Sequence, residues 1–238
     1  MGSDAAGATV IGIEAESGSM PAHLWLPPGG TGPGLLLLQE IFGVSPYIRE
    51  RAADLAALGY VVIAPEIYWR LDDTELDESA ADLVDKAAGI LTRLDWDTAV
   101  TDAAVAFEHL RGRLEVTGGA GLVGFCFGGG LAFNVAAVTS PDVLVSYYGS
   151  ALPNLLELAP RVTAVSLHHF GTADTYIDLE TVERIRAAVT GNPETEFLLY
   201  EGAGHAFDNP LPMFHHPEAS RQAWARTTEF LKKHLPLD

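Results

Sequence analysis

Four side chains in this sequence have the types that nucleophilic acyl chemistry needs, and each follows an apolar run. Cys126 closes "GLVGF" and is followed by three glycines after Phe127; Asp174 ends "GTAD"; His205 sits in "GAGHAF"; Glu40 follows "LLLLQ". A thiolate is a strong nucleophile, an imidazole can exchange its proton, and a carboxylate can hold that imidazole in one tautomer. The order nucleophile, acid, histidine is also the chain order of a nucleophile-elbow hydrolase. Taken singly, each residue has an ordinary reading as well. A lone cysteine is commonly a small buried hydrophobe, Asp174 a turn former, His205 a capping residue and Glu40 a loop carboxylate.

The local pattern favours chemistry. "GFCFG" (124–128) is glycine, any residue, nucleophile, any residue, glycine. Such a strand-to-helix turn is so sharp that its flanking positions need minimal side chains. The helix that follows aims its N-terminus at the sulfur, an environment that favours thiolate. Beside such a nucleophile, Glu40 is placed to accept the thiol proton when substrate arrives. The backbone N–H groups of Ile41 and Phe127 are expected to face one point and form an oxyanion hole.

These residues need a scaffold that brings strand ends together. Short, continuously apolar runs at 34–39, 60–65, 121–125, 143–149, 163–171 and 195–201 predict buried strands of a parallel sheet covered on both faces. An opening hairpin is expected over 8–14 and 22–27. Helices are expected over 47–58, 78–93, 97–113, 128–138, 178–190 and 217–234, with Asp178 as an N-cap. Along 78–93, Ala80, Leu83, Val84, Ala87, Leu91 and Leu94 form one stripe, read as a core-facing side. Strand and helix in alternation make an α/β fold of about eight strands, mostly parallel, in one domain over 1–238, with 1–7 expected to be disordered. In such sheets ligands lie beyond the carboxyl ends of the strands, where all four residues fall.

Composition narrows the function. A formal charge of −18 argues against nucleic acid as a partner. No apolar run approaches the roughly 18 residues of a membrane span. The opening "MGSDAAGATV" has neither the basic nor the apolar region of a signal peptide, so a cytoplasmic location is expected. One cysteine excludes an intramolecular disulfide and a multi-thiolate zinc site. His215 and His216 are adjacent on an irregular stretch with no third ligand evident, so no metal and no cofactor are expected. The chain is expected to act alone or as a homodimer.

Together "QEIFGV", "GYVVIAPEIY", "GLVGFCFGGGLAF", "GTAD" and "EGAGHAF" resemble the dienelactone hydrolase (carboxymethylenebutenolidase) family, over about residues 22–234. The resemblance implies an α/β-hydrolase fold without a large lid and a triad that opens esters or lactones through an acyl-thiol intermediate. By that match Cys126 is the nucleophile, His205 the base, Asp174 its orienter and Glu40 the activator of the thiol. It also implies two arginines that grip a substrate carboxylate. Here "HAFDNP" has Asp208 and Asn209 where one would stand, and the other falls near Val84, with Arg93 the nearest arginine and Lys86 the nearest lysine. The expectation is therefore a neutral or apolar ester or lactone, with Asp208 repelling an anionic one. The alternatives are a true dienelactone hydrolase that recruits Arg93 or Arg70, and a non-catalytic binding protein on this fold. Phe42, Phe125, Phe127, Tyr148, Tyr176, Phe207 and Trp96 are the candidate lining residues, of which Phe125 and Phe127 flank the turn.

Overall fold

In the computed structural model, which describes residues 7–237, eight strands form one sheet in the order β1-β2-β4-β3-β5-β6-β7-β8. The hairpin β1 (Thr9–Ala15) and β2 (Gly18–Trp25) adds antiparallel to β4 (Val61–Pro65). The remaining strands run parallel: β3 (Gly32–Leu38), β4, β5 (Val116–Phe125), β6 (Val143–Tyr147), β7 (Val165–Gly171) and β8 (Thr195–Tyr200). The expected disorder over 1–7 falls, Gly7 aside, outside the described residues.

The central strands are apolar throughout because both faces are covered. In β3, Leu36 and Leu38 enter the layer beneath α3 (Trp96–Arg111) and α4 (Phe127–Thr139), while Leu35 and Leu37 enter the layer beneath α1 (Pro46–Ala57) and α6 (Pro217–His234). All four are fully buried, each worth about 1.5–3 kcal/mol relative to exposure. Local chemistry fixes the helix starts. Ser45 caps α1 ahead of Pro46 at its first position, and Asp95 caps α3 through Thr98 N–H at 2.8 Å. Asp178 does the same for α5 (Leu179–Val189) through Thr181 N–H, as expected.

One helix departs from expectation. The segment expected to be helical from 78 becomes α2 only at Leu83–Leu91, with no side-chain cap at Asp82. Its apolar stripe is really two. Leu83, Ala87 and Ile90 are buried, whereas Val84, Ala88 and Leu91 face a cavity above the sheet. No helix among the described residues is long and apolar enough to cross a membrane.

His168, midway along β7, is fully buried between Phe133 and Phe197, and neither ring nitrogen has a hydrogen-bond partner. Burial pushes its pKa down to about 3, so the folded protein keeps the ring neutral while the unfolded chain protonates below about 6.5. Stability therefore falls as pH drops from 6.5 toward 3, by about 2 kcal/mol from this group at pH 5. His168→Phe is expected to raise stability by roughly 1–3 kcal/mol at pH 7 by removing the unpaired ring nitrogens. Its advantage over wild type should widen at pH 5, as read from urea midpoints at both pH values.

Candidate active site

The turn after β5 is built on two close approaches. A Cβ at Gly124 would run into the carbonyl oxygen of Gly128, and one at Gly128 into the carbonyls of Leu38 and Gln39 at the end of β3. With both positions stripped, the chain folds back at once, and Cys126 between them takes φ 52° and ψ −114°. That left-handed conformation is costly for a residue with a Cβ, on the order of 1–3 kcal/mol. Tyr148 (φ 37°) after β6 and Ala206 (φ 55°) beside His205 share it, so three strained residues ring one spot.

Cys126 is nearly buried, at 6% exposure. Its Sγ lies 3.2 Å from His205 Nε2 and 3.8 Å from Ser150 Oγ. On the other side of the ring, His205 Nδ1 donates to Asp174 Oδ2 at 2.8 Å. Asp174 Oδ1 in turn accepts the N–H groups of Tyr176 and Ile177 at 2.7 and 2.9 Å, so the carboxylate is held from both ends. The loops carrying acid and base are tied by Ala173 N–H to the Ala203 carbonyl and by Gly202 N–H to Thr172 Oγ1, both 2.9 Å. Burial works against a charged imidazole, yet the hydrogen bonds to Asp174 and Cys126 outweigh it and lift the His205 pKa to about 10. The arrangement can hold a proton taken from sulfur and hand it on.

The N–H groups of Ile41 and Phe127 have no acceptor among the described residues. Phe127 is the first residue of α4, with no earlier helical carbonyl to accept its N–H, and Ile41 lines the cavity that holds Cys126.

Glu40 shares that cavity but makes no hydrogen bond to the thiol. Its Oε2 accepts Asn209 Nδ2 at 2.6 Å and its Oε1 faces the Tyr148 hydroxyl at 3.4 Å. Asn209, standing where the resemblance implies an arginine, is thus the resting partner of Glu40. Burial raises the Glu40 pKa to about 7, against the lowering effect of the Asn209 contact. Behind it runs a buried polar chain. Tyr148 meets the Tyr47 hydroxyl at 3.4 Å, Tyr47 donates to Asp208, and Arg51 grips Asp208 with two bonds of 2.8 and 2.9 Å, with Ser220 adding a third donor.

Several expectations change here. Asp208 is 1% exposed, lies outside the cavity lining and is paired with Arg51, so it does not stand where it would meet a substrate. Its charge reaches the cavity only by raising the pKa of Glu40. Arg93 is exposed and donates to the carbonyls of Asp72 and Asp73, and Arg70 pairs with Asp102 at 2.8 Å; neither lines the cavity. Phe125, Tyr148 and Phe207 are fully buried and also lie outside the lining. Phe125 is the last strand residue before the turn, so alternation sends its ring down into the α1–α6 layer, stacked on Tyr147 at 4.5 Å. Phe207 is drawn down beside Tyr148 and Tyr200. Phe42 and Tyr176 do line the cavity, and Phe127 and Trp96 line a smaller neighbour.

The main cavity measures about 500 Å³. Its walls include Val84, near which the resemblance puts the second arginine, and residues not expected there: Ala88 and Leu91 beside it, Met213 and Phe214 on the other side, and Ser150 beside the sulfur. The doubled apolar stripe of α2 was the available signal for the first group. Among the described residues no lysine or arginine lines it, and the only ionisable side chains that do, besides the thiol and the Tyr176 phenol, are Glu40, His205, His215 and His216. No group of three or more His, Cys, Asp or Glu among the described residues is arranged to hold a metal ion.

The model of the dienelactone hydrolase family matches residues 20–235. A carboxymethylenebutenolidase of Pseudomonas sp. strain P51 is 35% identical over 95% of this chain and 96% of its own. Carboxymethylenebutenolidase 1 of Cupriavidus pinatubonensis is 32% identical, over 92% and 95% respectively. Among solved structures, one from Klebsiella pneumoniae described as a dienelactone hydrolase superposes with a TM-score of 0.83 at 26% identity, covering 95% of this chain and 98% of that one.

The surroundings of Glu40 give a directional expectation. Asn209 stabilises the charged form and the Asp208 anion disfavours it. Asn209→Ala should therefore move the Glu40 titration above 7, and Asp208→Asn should move it below. Carboxyl 13C shifts in glutamate-labelled protein, with Glu40→Gln assigning the signal, read both.

Proposed function

The chain belongs to the dienelactone hydrolase family and is a hydrolase of carboxylic esters or lactones, and from that premise we propose that it works through an acyl-thiol on Cys126 and prefers neutral substrates. The observation that carries the reading is the line from Cys126 Sγ through His205 to Asp174, with steps of 3.2 and 2.8 Å, at the floor of an apolar cavity. His205 keeps the thiol proton, and the sulfur attacks the carbonyl carbon. The carbonyl oxygen, now negative, sits between the N–H groups of Ile41 and Phe127. The C–O bond to the alcohol breaks as that oxygen takes the proton from His205, leaving the acyl group on sulfur. Water then gives a proton to His205 and attacks the thioester, releasing the acid and restoring the thiol. Glu40, which titrates near 7, is a second proton acceptor in the cavity, the role expected for it in forming the thiolate. A lone free thiol in this role suits a reducing compartment such as the cytoplasm.

The preference for neutral substrates follows from charge. An anionic acyl group would enter a cavity lined by no lysine or arginine, beside Glu40. Desolvating a carboxylate without a partner costs several kcal/mol. Arg51 and Arg70 are already paired with Asp208 and Asp102, and Arg93 is turned to backbone carbonyls.

The test is kinetic. Cys126→Ala should lower kcat/KM for p-nitrophenyl butyrate by at least about 1,000-fold. In the wild type, p-nitrophenyl butyrate should exceed the mono-p-nitrophenyl ester of succinic acid by more than about tenfold in kcat/KM. An alanine variant with wild-type turnover removes the acyl-thiol mechanism; equal turnover of the two esters removes the neutral preference.

A further inference from the structure

Ser150 borders two hollows. The second, of about 230 Å³, is walled by Leu94, Trp96, Phe127 and Ala151. It shares Leu91, Ser150 and Tyr176 with the first as common walls, and Ser150 Oγ is 3.8 Å from the sulfur. Its shape is held from outside: Trp96 Nε1 donates to Asn134 Oδ1 at 3.0 Å, and the indole stands edge-on to Phe127 at 5.8 Å. No charged side chain lines it, and its only side-chain polar groups besides the anchored indole N–H are the hydroxyls of Ser150 and Tyr176. Tyr176, 73% exposed and leaning on His205 at 5.1 Å, forms the rim between the two hollows.

The geometry of attack decides what this space is for. A carbonyl carbon bonded to sulfur has three other substituents. The oxyanion points to the N–H groups of Ile41 and Phe127. The leaving oxygen takes its proton from His205, which lines the first hollow and not the second. The remaining substituent is the acyl chain, and the second hollow, bordered by Ser150 at 3.8 Å from the sulfur and not by His205, is the nearby space that neither the oxyanion nor the leaving group uses. We propose that the second hollow is an acyl-chain subsite, admitting uncharged esters whose acyl group carries a phenyl ring or a straight chain of about six carbons. A cavity of about 150 Å³ lined by aliphatic and aromatic side chains holds benzene, so this one is large enough. The assignment rests on the acyl-thiol reading above and adds to it the identity of the preferred acyl group.

Two variants of opposite sense test it. Leu94→Trp fills the hollow and Trp96→Ala enlarges it; neither residue lines the main cavity. The quantity measured is kcat/KM for p-nitrophenyl phenylacetate and hexanoate relative to acetate, the alcohol being held constant. A hydrophobic pocket discriminates at about tenfold or more per lost group, so Leu94→Trp should lower both ratios at least tenfold. Trp96→Ala should move the optimum to longer acyl chains. Ratios within about twofold of wild type in both variants overturn the subsite. So does a change confined to the ranking of alcohols in a series of acetate esters, which would assign the hollow to the leaving group. A wild type that hydrolyses p-nitrophenyl acetate with no dependence on Cys126 defeats the acyl-thiol reading itself, a different result that the acetate reaction alone reveals.

Discussion

The backbone of α4 presses against the end of β3 so closely that a single methyl group at residue 128 would strike two carbonyl oxygens. This contact sets the geometry of everything around it. It lets the chain reverse within one residue after β5, which leaves Cys126 in a left-handed conformation with its sulfur above the sheet. It also places the unpaired N–H of Phe127 next to the loop that begins at Glu40. Because β3 and β5 are hydrogen-bonded neighbours in register, Leu38 with Gly124, the two chain segments leave the sheet side by side. The strain at Cys126 persists because packing on both sides leaves no relaxed alternative.

Charge is distributed with similar consistency. The sequence has 32 acidic residues against 14 lysines and arginines, and the buried acids each have local partners. Asp102 is met by Arg70 and Trp69, Asp208 by Arg51, Tyr47 and Ser220, and Asp174 by His205 and two backbone N–H groups. Glu40 alone has only neutral donors, which is why burial dominates its titration. A guanidinium at position 209 would hold it firmly ionised; an amide leaves its proton affinity near neutrality. The residue type at position 209 thereby sets how the buried carboxylate behaves.

The strands, their order along the chain and the placement of Glu40, Cys126, Asp174 and His205 beyond the strand ends were legible in the sequence, because buried parallel strands are continuously apolar and the residues that follow them gather at the carboxyl edge. The turn was legible because Gly124 and Gly128 bracket the only cysteine. The lining was less so. Phe125 and Phe207 looked like pocket residues from their positions beside Cys126 and His205, but adjacency in a strand or tight turn puts neighbouring side chains on opposite sides. Val84 and Leu91 looked like core because an apolar stripe records the absence of water affinity and not the identity of what covers it. The Arg51–Asp208 pair joins residues 157 positions apart, and nothing local announces it.

The loops after β7 and β8 are stitched together by backbone contacts, Ala173 to Ala203 and Gly202 to Thr172. Among the described residues no backbone–backbone bond joins either loop to the turn at Cys126, which is tied through its backbone to Tyr147 and Ser150 and meets His205 only through its sulfur. Acid and base thus form one inheritable module and the sulfur-bearing elbow another. Transplanting the histidine loop into a different scaffold would preserve its partnership with aspartate only if both segments travelled together, whereas the nucleophile's turn would have to bring the end of β3 and the segment from Tyr147 to Ser150 with it.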